Sequence, residues 1–145
     1  MHQKPAALKW ILWLLLPTIL TACRATADLG ETTWALVAYG PADAPVAAEA
    51  PAWIHFDDNG RMGGHTGCNG IFGHYSVADG RIDIRDDELA YNTQDCGLAS
   101  AEGKQDAFFR AYLGDTDYTQ TADRLILALD DGRQVAEYRL EAAAD

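Results

Sequence analysis

Apolar and polar residues alternate through most of this chain in runs of four to eight, the period of a strand with one face buried. Trp34 to Tyr39 opens the pattern, and the stretch from Gly40 to Pro51, which holds three prolines, interrupts it as a loop. A strand restarts over Trp53 to Phe56, and Asp58-Asn59-Gly60 supplies a hairpin turn. Arg61 and Met62 lead into a glycine-rich stretch from Gly63 to Gly70, after which Ile71 to Val77 resumes the β pattern. Asp79-Gly80 turns the chain into Arg81 to Arg85, where Ile82 and Ile84 share one face and Arg81, Asp83 and Arg85 the other. Leu89 to Thr93 reads as a further strand or an extended loop. The end is a meander: Asp117 to Thr121, then Leu125, Leu127 and Leu129 on one face, a turn at Asp131-Gly132, and Gln134 to Leu140.

One segment breaks this rhythm. Between Ser100 and Leu113 the spacing becomes helical, with Phe108, Phe109, Tyr112 and Leu113 on one face and Gln105 in line with them. Ser100 suits an N-cap, Glu102 the first turn, and Gly114 a left-handed stop, while Gly103 weakens the middle. The fold class expected is mainly β (α+β). It is a strongly curved antiparallel sheet or partial barrel of about eight strands with one packed α-helix, since curling leaves few open edges.

The first 22 residues follow a different logic. His2, Lys4 and Lys9 give a positive start, and Trp10 to Leu20 is an apolar run too short, at 11 residues, to cross a bilayer. Leu20-Thr21-Ala22-Cys23 resembles the lipobox of bacterial lipoproteins, in which the cysteine thiol takes up lipid. The other reading is an ordinary cleaved signal that leaves Cys23 as a spare thiol. The organisation expected is a signal peptide over 1–22, a lipidated N-terminus and tether over 23–31, and one domain over 32–142. Arg24 stands where an Asp commonly retains lipoproteins at the inner membrane, so the resemblance implies an exported chain anchored at the outer membrane, facing the periplasm.

The 145 residues carry 11 Lys and Arg against 22 Asp and Glu. Loss of the signal segment removes Lys4 and Lys9 and no acid, leaving a formal charge of −13. Such a surface is wrong for nucleic acid and for anionic headgroups. With Cys23 lipidated, Cys68 and Cys96 remain as an even pair in an oxidising compartment, and one disulfide is the simplest reading. Two unpaired structural thiols are the alternative.

Gly67-Cys68-Asn69-Gly70, followed by Phe72, Gly73 and Tyr75, resembles the META/HslJ-like domain of exported and heat-shock bacterial lipoproteins. The resemblance extends over about residues 33–141, through Thr33-Trp34-x-Leu36, Ile54-x-Phe56, Asn59-Gly60-Arg61, Thr93-x-x-Cys96, Phe109 with Leu113, Tyr118 and Leu125-x-Leu127. Asp106 departs from the Glu usual in that family, and Gln94-Asp95 from a Met-Ala pair. The resemblance implies an antiparallel, strongly curved sheet with a helix on it, and roles in stress tolerance and the envelope. It carries no catalytic residues.

Other chemistry is weaker. Cys68 with His65 and His74 lacks an orienting group and, as an exported cysteine with a partner, the reduced thiol a nucleophile needs. His65, Cys68, His74 and Cys96 have zinc-ligand atoms but no common zinc spacing. Asp57-Asp58-Asn59-Gly60 lacks the alternating ligands of a calcium loop. The glycines at 63–70 read as a tight turn in which Asn69 bonds neighbouring backbone, with no phosphate cradle. Asp86-Asp87 reads as a solvated loop pair. Trp34, Trp53, Phe72 and Tyr75 read as core, with a ligand groove as the second reading. The function expected is therefore a non-enzymatic envelope lipoprotein without cofactor or metal. Its partners would be the membrane, through its lipid, and an envelope protein. A carrier of a small apolar ligand inside the barrel is the alternative, and an enzyme the least favoured.

Overall fold

A computed structural model describes residues 28–85 and 89–141. The signal segment, Cys23, the residues up to 27, the Asp86-Asp87 pair and Ala142 lie outside the described residues. Ten strands and one helix follow in chain order: β1 (Thr32–Pro41), β2 (Val46–Ala47), β3 (Trp53–Phe56), β4 (Arg61–His65), β5 (Gly70–Ala78), β6 (Arg81–Ile84), β7 (Ala90–Tyr91), α1 (Ala101–Tyr112), β8 (Thr116–Gln120), β9 (Arg124–Leu129) and β10 (Gln134–Leu140). Eight of them close a barrel in the order β1-β3-β4-β5-β6-β8-β9-β10, with β10 returning to β1. The two shortest are additions: β2 pairs with the far half of β1, inside the stretch read as loop, and β7 pairs with β5 at Ile71 and Phe72. The expected partial barrel is thus a closed one.

Closure is uneven. β1 and β10 pair through seven residues on each strand, with a bulge at Val37 that sharpens the local curvature. β6 and β8 pair through two, Arg81 with Asp117 and Ile82 with Thr116. Inside, Trp34, Phe56, Ile82, Leu125, Leu127 and Leu129 are fully buried, the same alternation visible in the sequence. Among Ala52, Ile54, Ile71, Phe109 and Tyr138 the space left is about 10 Å³, no more than a single water needs.

The turns differ in kind. Asp79 and Gly80 are both left-handed, at φ 52° and 80°, as a two-residue hairpin requires. Between β3 and β4 only Gly60 is left-handed (φ 75°). That connection is the four residues Asp57 to Gly60, tied by the Asp57 carboxylate, which accepts from the backbone N–H groups of Asn59 and Arg61 at 2.8 Å each.

Two boundaries move. Leu29 is buried in the core, and its carbonyl accepts from the Thr32 hydroxyl, so residues 29–31 belong to the domain instead of to a tether. At the helix end, Leu113 leaves in an extended conformation (φ −72°, ψ 127°) with its N–H still bonded to the Phe109 carbonyl, so the expected left-handed stop at Gly114 is not used.

Candidate functional site

The motif from Gly67 to Tyr75 divides between the upper end of the barrel and its outer wall. The upper end is where β4 passes into β5 and where α1 lies. Ser100 caps α1, its hydroxyl accepting from the Gly103 N–H at 2.9 Å. Phe108 and Phe109 are buried and meet edge-to-face at 5.4 Å, and Tyr39 closes on Phe108 at 5.1 Å. Burying one such ring contributes about 2–3 kcal/mol. Gly103, read as a weak point, is a contact: a Cβ there would collide with the carbonyl of Gly97.

Beneath the helix lies a buried polar network. Gln105, fully buried, accepts at Oε1 from the N–H groups of Glu49 and Ala50, and donates from Nε2 to the carbonyls of Ala50 and Thr66. Thr66 accepts from the Asn69 N–H at 3.0 Å and donates to Asp106 Oδ1 at 2.6 Å. Arg110 donates from Nε to Asp106 Oδ2 at 2.7 Å and from Nη2 to the Asn92 carbonyl, and lies 4.2 Å above the Tyr91 ring. Burial raises the Asp106 pKa, but the bonds from Arg110, Thr66 and Asn69 together outweigh it and hold the carboxyl below its ordinary value.

Cys68 and Cys96 are joined as a disulfide, with Cα atoms 6.1 Å apart. Asn69 reinforces the link: its Oδ1 accepts from the Gln94 N–H at 2.9 Å and its Nδ2 donates to the Gln94 carbonyl at 3.1 Å. Asn69 thus serves two loops: its carbonyl accepts from the Thr66 N–H within its own turn, and its side-chain amide grips the backbone of Gln94. Gly67 is left-handed (φ 103°), and a Cβ would press on Gln105. Gly70 lies beside Asn92. With the sulfurs bonded to each other and the His65 Nδ1 accepting from the Gly67 N–H, this end of the motif is a structural clasp.

The outer wall is different. On β3, β4 and β5 the register aligns His55 with Gly63 and Phe72, and Trp53 with His65 and Gly70. Trp53 is 41 % exposed and Phe72 57 %, whereas Trp34 is fully buried and Tyr75 half-buried, its hydroxyl donating to the Asp57 carbonyl. The core reading therefore fails for Trp53 and Phe72: both stand on odd strand positions that the closed barrel turns outward. Gly63, with no side chain, leaves a floor between them. Two adjoining hollows, of about 450 and 420 Å³, share His55 and Gly63. Phe72, Gly73, His74 and Arg61 line the first, and Trp53, Thr33 and Glu141 the second. The Thr33 hydroxyl fixes His55 through Nδ1 at 3.0 Å, and Arg61 pairs with Asp57 at 3.0 Å. Among the described residues no three His, Cys, Asp or Glu side chains are grouped to hold a metal ion.

Residues 27–142 match the family model described as META domain. The chain belongs to the META domain family. An NMR structure of a protein from Burkholderia xenovorans is similar to this META domain at 21 % identity and TM-score 0.62, covering 79 % of this chain and 84 % of that one. A second NMR structure is similar at 21 % identity and TM-score 0.59, covering 77 % and 90 %. A crystal structure of a DUF4847 family protein from Bacteroides vulgatus is similar at 14 % identity and TM-score 0.54, covering 81 % and 96 %. These likenesses are of fold. No curated protein matches the chain.

Proposed function

We propose that this META-domain protein is a non-enzymatic, lipid-anchored component of the cell envelope that binds another envelope protein through the outer wall of β3, β4 and β5, in stress tolerance or envelope maintenance. One observation carries the binding role. Two large aromatic side chains, Trp53 and Phe72, stand exposed on one wall beside a side-chain-free Gly63, and exposed aromatics over a shaped groove are the common anchors of protein interfaces. Neither ring belongs to the core cluster of the barrel or to the residues packed against it. The close packing of Ile54, Ile71, Phe109 and Tyr138, with about 10 Å³ between them, weighs against the alternative of an apolar ligand carried inside the barrel. Export and anchoring rest on the signal-like segment and on Cys23.

Crosslinking and mass spectrometry in native envelopes tests the reading. Wild type is expected to return a specific neighbour that Trp53→Ala/Phe72→Ala loses while still melting cooperatively, since neither ring belongs to the core cluster. Cys23→Ala is expected to move the protein from the membrane to the soluble fraction. A neighbour retained in the double alanine variant would refute the assignment of the wall.

A further inference from the structure

The lower end of the barrel carries a third hollow, which shares no lining residue with the two on the aromatic wall. It has a volume of about 450 Å³ and is bounded by Leu29, Tyr75, Val77 and Tyr118, with Asp28 and Asp58 on its rim. Two more carboxylates stand beside it: Glu31, whose Oε1 accepts from the Asp58 N–H at 3.3 Å, and Asp57. Arg61 is the base seen among them, and it is bound to Asp57. The cup thus joins apolar and aromatic walls to a surplus of negative charge. Burial raises the Tyr75 phenol, and Asp28, Asp57, Asp58 and Glu31 raise it further, a sign of how much negative potential converges there.

One flank of the cup is a strand edge. β8 meets β6 only at Thr116 and Asp117, and its last contact on that side is the Tyr118 N–H to the Gly80 carbonyl. Beyond it, Thr119 and Gln120 have no strand beside them on the β6 side among the described residues. Two positions past Tyr118 on the same face, Gln120 keeps a buried side-chain oxygen with no donor in reach.

We propose that this mouth receives a Lys or Arg side chain of an extended basic segment of a partner protein, laid along the open edge of β8. The charge calls for a cation, and aromatic rings favour one over their faces. Val77, 43 % exposed, gives the methylene stem a surface to cover. The free edge of β8 supplies backbone groups that a peptide can match and a lipid ammonium group cannot. The net charge of −11 would speed the encounter.

The test titrates the full-length chain in detergent, at about 0.15 M ionic strength, with the fluorescein-labelled peptide Lys-Val-Lys-Val-Lys, read by anisotropy. Asp28→Asn/Asp58→Asn is expected to weaken binding about tenfold or more, and Asp43→Asn/Glu102→Gln, an equal charge change at the upper end, less than about twofold. On binding, amide exchange at Gln120, whose N–H faces the open edge as that of Tyr118 does, is expected to slow. Equal losses in both double variants would show attraction by net charge alone and overturn the site. So would full displacement of the peptide by phosphatidylethanolamine vesicles, which would make the cup a headgroup site. A tenfold gain in Arg24→Ala would also overturn it, assigning the cup to the chain's own Arg24. Unchanged exchange at Gln120 would remove the β8 edge from the proposal and so refute it. Trp53→Ala/Phe72→Ala is expected to bind the peptide as wild type does, so this site stands or falls apart from the aromatic wall.

Discussion

The side-chain amide of Gln105 bonds to Ala50 twice, accepting from its N–H at 3.0 Å and donating to its carbonyl at 3.1 Å, as a neighbouring strand would. A single helical residue thereby stands in for a missing strand at the upper end, where the chain between β2 and β3 has backbone groups to satisfy. Gln105→Leu keeps the volume and removes every one of these bonds. It is expected to cost about 3 kcal/mol in urea unfolding, because buried donors and acceptors are orphaned together. A loss under about 1 kcal/mol would mean that the loop finds other partners.

Gly103→Ala reverses the usual ranking. In an exposed helix the change gains about 0.5–1 kcal/mol. Here the new methyl would strike the Gly97 carbonyl, so the helix must lift from the loop that Cys96 anchors. The expected result is a destabilisation of about 1–3 kcal/mol by chemical denaturation. Stabilisation would show that the loop yields freely.

Asp106 sets an acid limit. Its carboxyl is held below the ordinary value, so its ionised form contributes stability at pH above the unfolded-state pKa of about 4. That contribution is lost as pH falls further, through the depressed folded-state value. Melting temperatures taken from pH 7 to pH 2 are expected to fall more gently below about pH 4 in Asp106→Asn than in wild type, from a lower starting point. Parallel curves for the two proteins would exclude Asp106 as the group responsible.

Much of this was legible before any coordinates. Strict alternation placed Ile82, Ile84, Leu125, Leu127 and Leu129 inside because a period of two leaves a strand one way to bury them. Ser100 marked the helix start because a capping hydroxyl acts within one turn of chain. The spacing of Cys68 and Cys96 said nothing about geometry, but their even count pointed to the bond they make. What escaped depends on distant partners. Gln105 and Asp106 look like ordinary polar helix residues, and only Ala50 and Thr66, about 40 or more positions away, make them interior. Trp53 and Phe72 carry the composition of a core, and the outward choice becomes visible only once closure fixes which strand face looks in. Leu29 was passed over because one leucine among polar neighbours has no period to declare it.

The uneven hooping of the barrel has a mechanical consequence. Seven pairs bind β1 to β10, the two strands nearest the chain's ends, while two hold β6 to β8 in the middle of the sequence. Pulling on the termini therefore loads the seven-pair seam from its Trp34–Leu140 end, one pair after another, and leaves the two-pair seam off the line of force. The narrow β6–β8 hoop, far in sequence from either terminus, is where the wall can part with all seven of those pairs intact.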